Sequence, residues 1–163
     1  MKKSILFLSI TFMAGVAFAN MYNSIVDTTS WISNVPDSVS VFREYFHSVN
    51  PGNFFRVFSP INQLLVLLSL ILFWKTSGKT RMFLLIAFLL AVVGDVITFS
   101  YFYPRNGMLM NLPLQGNTEK FVTILKKWRF MNWIRTLIIL TGLVFSFSGL
   151  NEIYRQQNTI AIK

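Results

Sequence analysis

Four runs of apolar residues dominate the chain. They cover residues 5–26, 57–74, 82–103 and 130–150, and few charges interrupt them. Each is about the length a helix needs to cross the hydrocarbon core of a bilayer. The second becomes continuously apolar at Pro60, a residue suited to a first helical turn, and draws on the residues from Phe54 onward to reach full length. Lys75 to Arg81 forms a tight basic turn, Pro104 stops the third run, and a polar tail begins at Asn151. Ala17-Phe18-Ala19 behind Lys2 and Lys3 looks like a signal-peptidase site. The apolar pattern nevertheless continues through Met21, Tyr22, Ile25 and Val26, which favours an uncleaved first span.

Two segments between the runs carry helical patterns. Pro36 opens one, with Asp37 or Ser38 as cap, Val39, Phe42, Tyr45 and Phe46 as an apolar side, and Asn50-Pro51-Gly52 as a closing turn. Phe54, Phe55 and Phe58 then lie against the bilayer or the bundle mouth. Asn117 is placed to cap the other, whose face is Phe121, Ile124, Leu125 and Trp128 and which runs on into the last span. The expected fold is therefore all-α: one domain over 1–163, a four-helix transmembrane bundle with a short extracytoplasmic helical cap. Four spans put both termini on one side. Lys2, Lys3, Lys75, Lys79 and Arg81 crowd the span ends there and favour the cytoplasmic side of a bacterial plasma membrane.

Composition agrees. The chain is 53% hydrophobic and 13% charged, against about 25% charged in a soluble domain. Its net charge of +9 is scattered around the spans, so membrane lipids with anionic head groups are the expected partner and nucleic acid is not. A homo-oligomer stays open. The absence of Cys removes thiolate chemistry and Cys-held clusters. One His and three Glu exclude a three-His zinc site, bis-His haem and a Glu-x-x-His di-iron centre. No metal and no cofactor is expected.

The candidate chemistry lies in a polar layer near the outer ends of the spans. Asp95 is a charge inside the third run, where an ionisable group is costly without a partner. Arg135 is a charge inside the fourth, so the two form a natural ion pair. Such a pair either locks two helices together or lets Arg135 bind an oxyanion while Asp95 orients its fork or moves a proton. Asn20 and Asn23 share a face with Asp27 on the first span, Asn62 adjoins Gln63 on the second, and Trp128 and Asn132 lead to Arg135 on the fourth. These side chains read either as ligand contacts or as interhelical glue. His47, the lone histidine, is the candidate base, an exposed loop position being the alternative. Tyr101 to Tyr103 and Trp128 to Trp133 read as an interfacial aromatic belt rather than a substrate stack. Gly15, Gly94 and Gly142 read as close-packing positions.

Three marks carry a resemblance: Tyr103-Pro104-Arg105-Asn106 ending the third span, Asn132-Trp133-Ile134-Arg135 opening the fourth, and the polar Asn20-to-Asp27 end of the first. With four spans in a chain this short, the sequence resembles the anthrone oxygenase-like membrane family. The resemblance implies oxidation of anthrones to anthraquinones by O2 without a conventional prosthetic group, the activity of fungal members. It points to Asn106, Asn132 and Arg135 as the positions to carry over. The leading expectation is a cavity protein that binds a small hydrophobic aromatic, a phenol, quinone or anthrone-like ring, with its oxidation as the further step. His47 would act as base, and Arg135 with Asn132 would stabilise the oxyanion. The alternative is a non-enzymatic membrane subunit or chaperone whose polar residues only stabilise the bundle.

Overall fold

The computed structural model describes residues 1–161, of which the side chains are described through Thr159. It is all-helical, 87% of the chain being helix, with no strand among the described residues. Helix α1 spans Lys2–Ile32, α2 Asp37–Tyr45, α3 Pro51–Leu72, α4 Gly78–Asn111 and α5 Thr118–Ala161. All but α2 are long and apolar enough to cross a membrane. These four form a closed ring, α1 against α3, α3 against α4, α4 against α5, and α5 back against α1. The expected multi-pass membrane bundle is the fold observed.

Large apolar side chains cover the outside as well as the inside. Leu64, Leu68, Leu89, Val93, Leu137 and Val144 are all exposed on the spans, as lipid-facing helices require. Inside, Leu6, Leu70, Phe73, Leu84 and Leu150 fill the end that holds both termini, and Met13, Val16, Val66, Ala87 and Ile139 fill the middle. At the terminal end Ser77 caps α4 by accepting from the Thr80 N–H at 3.2 Å, and Gln156 Nε2 donates to the Ser77 hydroxyl at 2.5 Å. Lys3 Nζ donates to Gln157 at 2.5 Å and sits 3.9 Å over the Tyr154 ring.

The opposite end is roofed by α2. Val39 and Phe42 pack with Leu109, Phe121, Ile124 and Leu125. Arg43 ties this cap to the end of α4, its Nε donating to the Leu109 carbonyl at 2.7 Å and its Nη2 to the Leu112 carbonyl at 2.6 Å. Those carbonyls lie where a helix runs out of backbone donors, so a guanidinium there satisfies them and meets the negative end of the dipole. Neither Asp37 nor Ser38 caps α2; the Ser38 hydroxyl instead donates to the Trp31 carbonyl at 2.6 Å. Tyr45, expected on the apolar side, is 77% exposed.

The prolines sit differently from expectation. Asn50-Pro51-Gly52 does not close a turn but starts α3. Asn50 is its N-cap, Oδ1 accepting from the Gly52 N–H at 2.9 Å, and Pro51 takes the first turn, where a missing N–H is harmless. Pro60 thus falls inside α3. Pro104 does not end α4 either. A π turn at Thr98–Phe102 directly precedes Tyr103-Pro104, so the ladder has already changed register where the proline N–H is missing. A second π turn, Asn23–Asp27, interrupts α1.

Helices α4 and α5 make the most extensive contact in the bundle, through small residues. A Cβ on Gly149 would lie 3.0 Å from Leu84, and one on Gly142 would lie 3.4 Å from both Leu90 and Met13. A Cβ on Gly94 would meet Ile139 at 3.4 Å, whereas Gly15, expected to pack closely, has nothing within 4 Å. Opposite signs follow. Gly142→Leu should destabilise the detergent-extracted protein by about 1–3 kcal/mol through overpacking. Gly15→Ala should stabilise it by up to about 1 kcal/mol through helix propensity. Thermal unfolding of the two variants beside the wild type measures both.

Candidate functional site

Beneath the cap lies a cavity of about 310 Å³. Its floor is Arg135. This guanidinium is 3% exposed, and its position on α5 is fixed from three sides. Nη1 donates to Thr98 Oγ1 on α4 at 2.9 Å, and Nη2 donates to Asn132 Oδ1, one turn earlier on α5, at 2.5 Å. Its Cζ lies 4.0 Å from the centre of the Phe102 ring and 5.0 Å from that of Phe55, so α4 and α3 each present an aromatic face to the charge. Nε has no partner.

Asn132 is held in turn by α1. Its Nδ2 donates to the Asn20 carbonyl at 2.8 Å and to Ser24 Oγ at 2.6 Å. Thr98 is likewise anchored, its hydroxyl donating to the Gly94 carbonyl at 2.9 Å and so turning its lone pairs to Arg135. One polar chain thus runs from α1 through α5 to α4, with every step buried. The two π turns sit at its ends, Asn23–Asp27 beside Ser24 and Thr98–Phe102 at Thr98. π turns concentrate at functional sites because they turn side chains and carbonyls away from the regular helical positions.

The walls are aromatic. Trp128 meets Phe102 edge-on at 4.9 Å and Trp31 at 5.7 Å, and Trp31 meets Phe42 at 4.7 Å. The Trp128 Nε1 donates to Asn106 Oδ1 at 2.9 Å. Asn23, Asn50, Arg56, Tyr103 and Asn111 supply further polar edges. The lining is thus a largely aromatic wall with two guanidinium side chains, Arg56 and the buried Arg135, and several amides.

Of the residues singled out in the sequence, Asn23, Asn106, Trp128 and Arg135 line this cavity. Asn132 stands one shell behind Arg135. Asn20 and Asn62 are buried but line no part of it; each leaves its Oδ1 without a partner. His47 is exposed, with Nδ1 2.9 Å from the Ser48 hydroxyl, and does not line the cavity. The expected Asp95–Arg135 ion pair is not formed. Among the described residues only Arg155 and Glu152 come within ion-pair distance, at 3.1 Å. Asp95 Oδ2 instead accepts from Gln63 Nε2 of α3 at 2.5 Å. It lines a second cavity of about 290 Å³ between α3 and α4.

The belt reading of the aromatics also changes: Phe102 and Trp128 are buried in the cavity wall, and Tyr103 faces it. Phe55, placed at the bundle mouth by its sequence neighbours, is buried under Arg135 while Phe54 and Phe58 remain outside. A signal for it exists. Phe55, Ser59 and Asn62 fall at spacings of four and three, so they share one face of a continuous helix, and all three are buried.

No group of three or more His, Cys, Asp or Glu placed to hold a metal occurs among the described residues. The model of the anthrone oxygenase family matches residues 53–145, more than half of the chain. No curated protein and no solved structure matches it. The matched region carries Phe55, Thr98, Phe102, Asn106, Trp128, Asn132 and Arg135; α1 and α2 precede it. On that match, the four-span bundle belongs to the anthrone oxygenase family.

Proposed function

We propose that the cavity under the cap binds a planar, uncharged aromatic ketone or phenol of the anthrone type, with its oxygen on Arg135, and that the bound enolate reacts with O2. The observation that carries this is a buried guanidinium facing a cavity with no carboxylate in contact. Asp95 acts on this cation only through space, without contact; a buried cation so compensated is costly, and it favours a ligand that develops negative charge beside it. The aromatic edges of Trp31, Phe102 and Trp128 suit a flat ring system.

The chemistry balances without a further reactant. Loss of a proton from the central methylene of an anthrone gives an enolate whose oxygen charge lies at Arg135. The enolate carbon adds O2 and forms a hydroperoxide, which loses water to leave the second carbonyl. One anthrone and one O2 thus give one anthraquinone and one water. Asp95 does not touch this cavity but lies behind its Phe55–Thr98 wall, and is assigned as the indirect acceptor of the proton; His47, remote from both linings, is left out.

Oxygen uptake with anthrone in lipid nanodiscs, measured above the uncatalysed background, tests the assignment. Arg135→Met should lower the rate on the order of a hundred-fold. Asp95→Asn should lower it by a smaller factor, and His47→Ala should leave it unchanged. A monodisperse Arg135→Met protein with the wild-type rate would refute the reading.

One observation favours a purely structural role. Both terminal nitrogens of Arg135 are engaged, Nη1 across to α4 and Nη2 within α5, and the Asn132 amide bonds across to α1. In that case the wild type takes up no oxygen with anthrone, and Asn132→Ala lowers stability by about 1–3 kcal/mol. Combining Arg135→Met with Asn132→Leu should then regain that loss. The catalytic reading expects this double variant to be folded and inactive.

For orientation, the termini and the Lys75-to-Arg81 turn are assigned to the cytoplasm of a bacterial cell, with the cap outside. The chain lacks Cys, so single thiols report cleanly. An impermeant maleimide applied to intact cells should label Ser48→Cys and spare Thr76→Cys; the reverse pattern would invert the topology.

A further inference from the structure

The second cavity does more than hold Asp95. Phe55, Arg56, Thr98 and Tyr103 line both it and the Arg135 cavity, so the two are separated by one layer of side chains. Its other side faces outward. Val96 and Phe99, on its rim, are 57% and 61% exposed on the surface these apolar spans turn toward lipid. The space therefore leads from the lipid face to the wall of the Arg135 chamber.

The backbone accounts for the gap. Regular helices close side-chain ridges into grooves along their length. Here α3 carries Pro60, which supplies no N–H to the Arg56 carbonyl one turn back. Facing it, α4 leaves the α-helical ladder at Thr98. Both residues line the second cavity, so the two irregularities meet at one level. A polar cross-link flanks each side. Gln63 Nε2 donates to Asp95 Oδ2 at 2.5 Å, and the Arg56 guanidinium lies 5.4 Å from the centre of the Tyr103 ring.

We infer that this gap is a lateral window through which a membrane-dissolved, uncharged planar aromatic passes between α3 and α4 to reach Arg135. The inference rests on the cavity reading above and adds the route and the phase that supplies the ligand. Fused-ring ketones leave water for hydrocarbon, so an opening on the lipid face meets them at their highest concentration. Phe55 and Thr98 form the last barrier, the one closed by packing and the other by its bond to Arg135.

Thiol labelling tests the route without reference to oxidation. Thr98→Cys places the sole thiol of the chain on the shared wall, and N-pyrenylmaleimide dissolved in the nanodisc lipid is the probe. Adding Val96→Trp at the rim should slow labelling about ten-fold or more, a barrier rise worth that factor in rate. Leu137→Trp, which puts the same bulk on the lipid face of α5, should have no effect. Should Thr98→Cys fail to fold, the nearly isosteric Ser59→Cys reports from the second cavity itself. Labelling that ignores Val96→Trp, or that is slowed instead by Met110→Trp under the cap, overturns the window. Anthrone oxidation failing while the Val96→Trp effect persists removes the proposed reaction and keeps the window; the converse removes the window and keeps the reaction.

Discussion

A guanidinium buried without a contacting carboxylate is the constraint around which this bundle is organised. Removing such a charge from water costs several kcal/mol. Arg135 is compensated by neutral partners: one hydroxyl, one amide carbonyl and two ring faces. Those partners come from three helices, and their own hydrogen bonds reach α1. Asp95, one turn before Thr98 on the same helix, is occupied by Gln63. Asp95 therefore acts on Arg135 through space and not through a bond.

The helices share this task unequally. α5 runs unbroken from Thr118 to Ala161 and carries Trp128, Asn132 and Arg135 on one rigid rod. The other three spans depart from regular geometry at the capped end: α1 and α4 through π turns, α3 through Pro60. Toward the termini the ring is tight. Gly142 and Gly149 let α5 touch α4, and Ala87 lies in the core between them. A close-packed half therefore holds the open half in place. Isolated π turns and an internal proline weaken a helix, so their coincidence around two adjoining cavities marks a region where regular packing has been given up for open space.

Much of this was legible in the chain, and the misses have physical causes. The four apolar runs define the spans by length alone. The spacing of Trp128, Asn132 and Arg135 is that of one helical face, and it holds because α5 is regular. The Asp95–Arg135 pairing failed on rotation about the helix axis. Asp95 and Thr98 are three residues apart, which turns them about 60° from each other on a helix of 3.6 residues per turn. That turn suffices to aim Thr98 at α5 and Asp95 at α3. Charge complementarity says nothing about rotation. The prolines misled for a related reason: a proline marks a helix end only where the ladder is regular, and α4 changes register just before Pro104. The aromatic belt was misread because Phe102 and Trp128 have the composition of interfacial residues but the helical phase of inward ones.

The boundary of the family match divides the site in an informative way. Within residues 53–145 lie the guanidinium, both rings that flank it, and the Thr98 and Asn132 that hold it. Before it lie Asn20 and Ser24, which orient Asn132 from behind, and Trp31 and Phe42, which close the roof. The floor is therefore built by the part of the chain recognisable as a family, and the roof by the part that is not. Trp31 and Phe42, on α1 and α2, line the cavity from the capped side. The cap is held independently of Arg135, by its own apolar cluster and its own Arg43 anchor to α4.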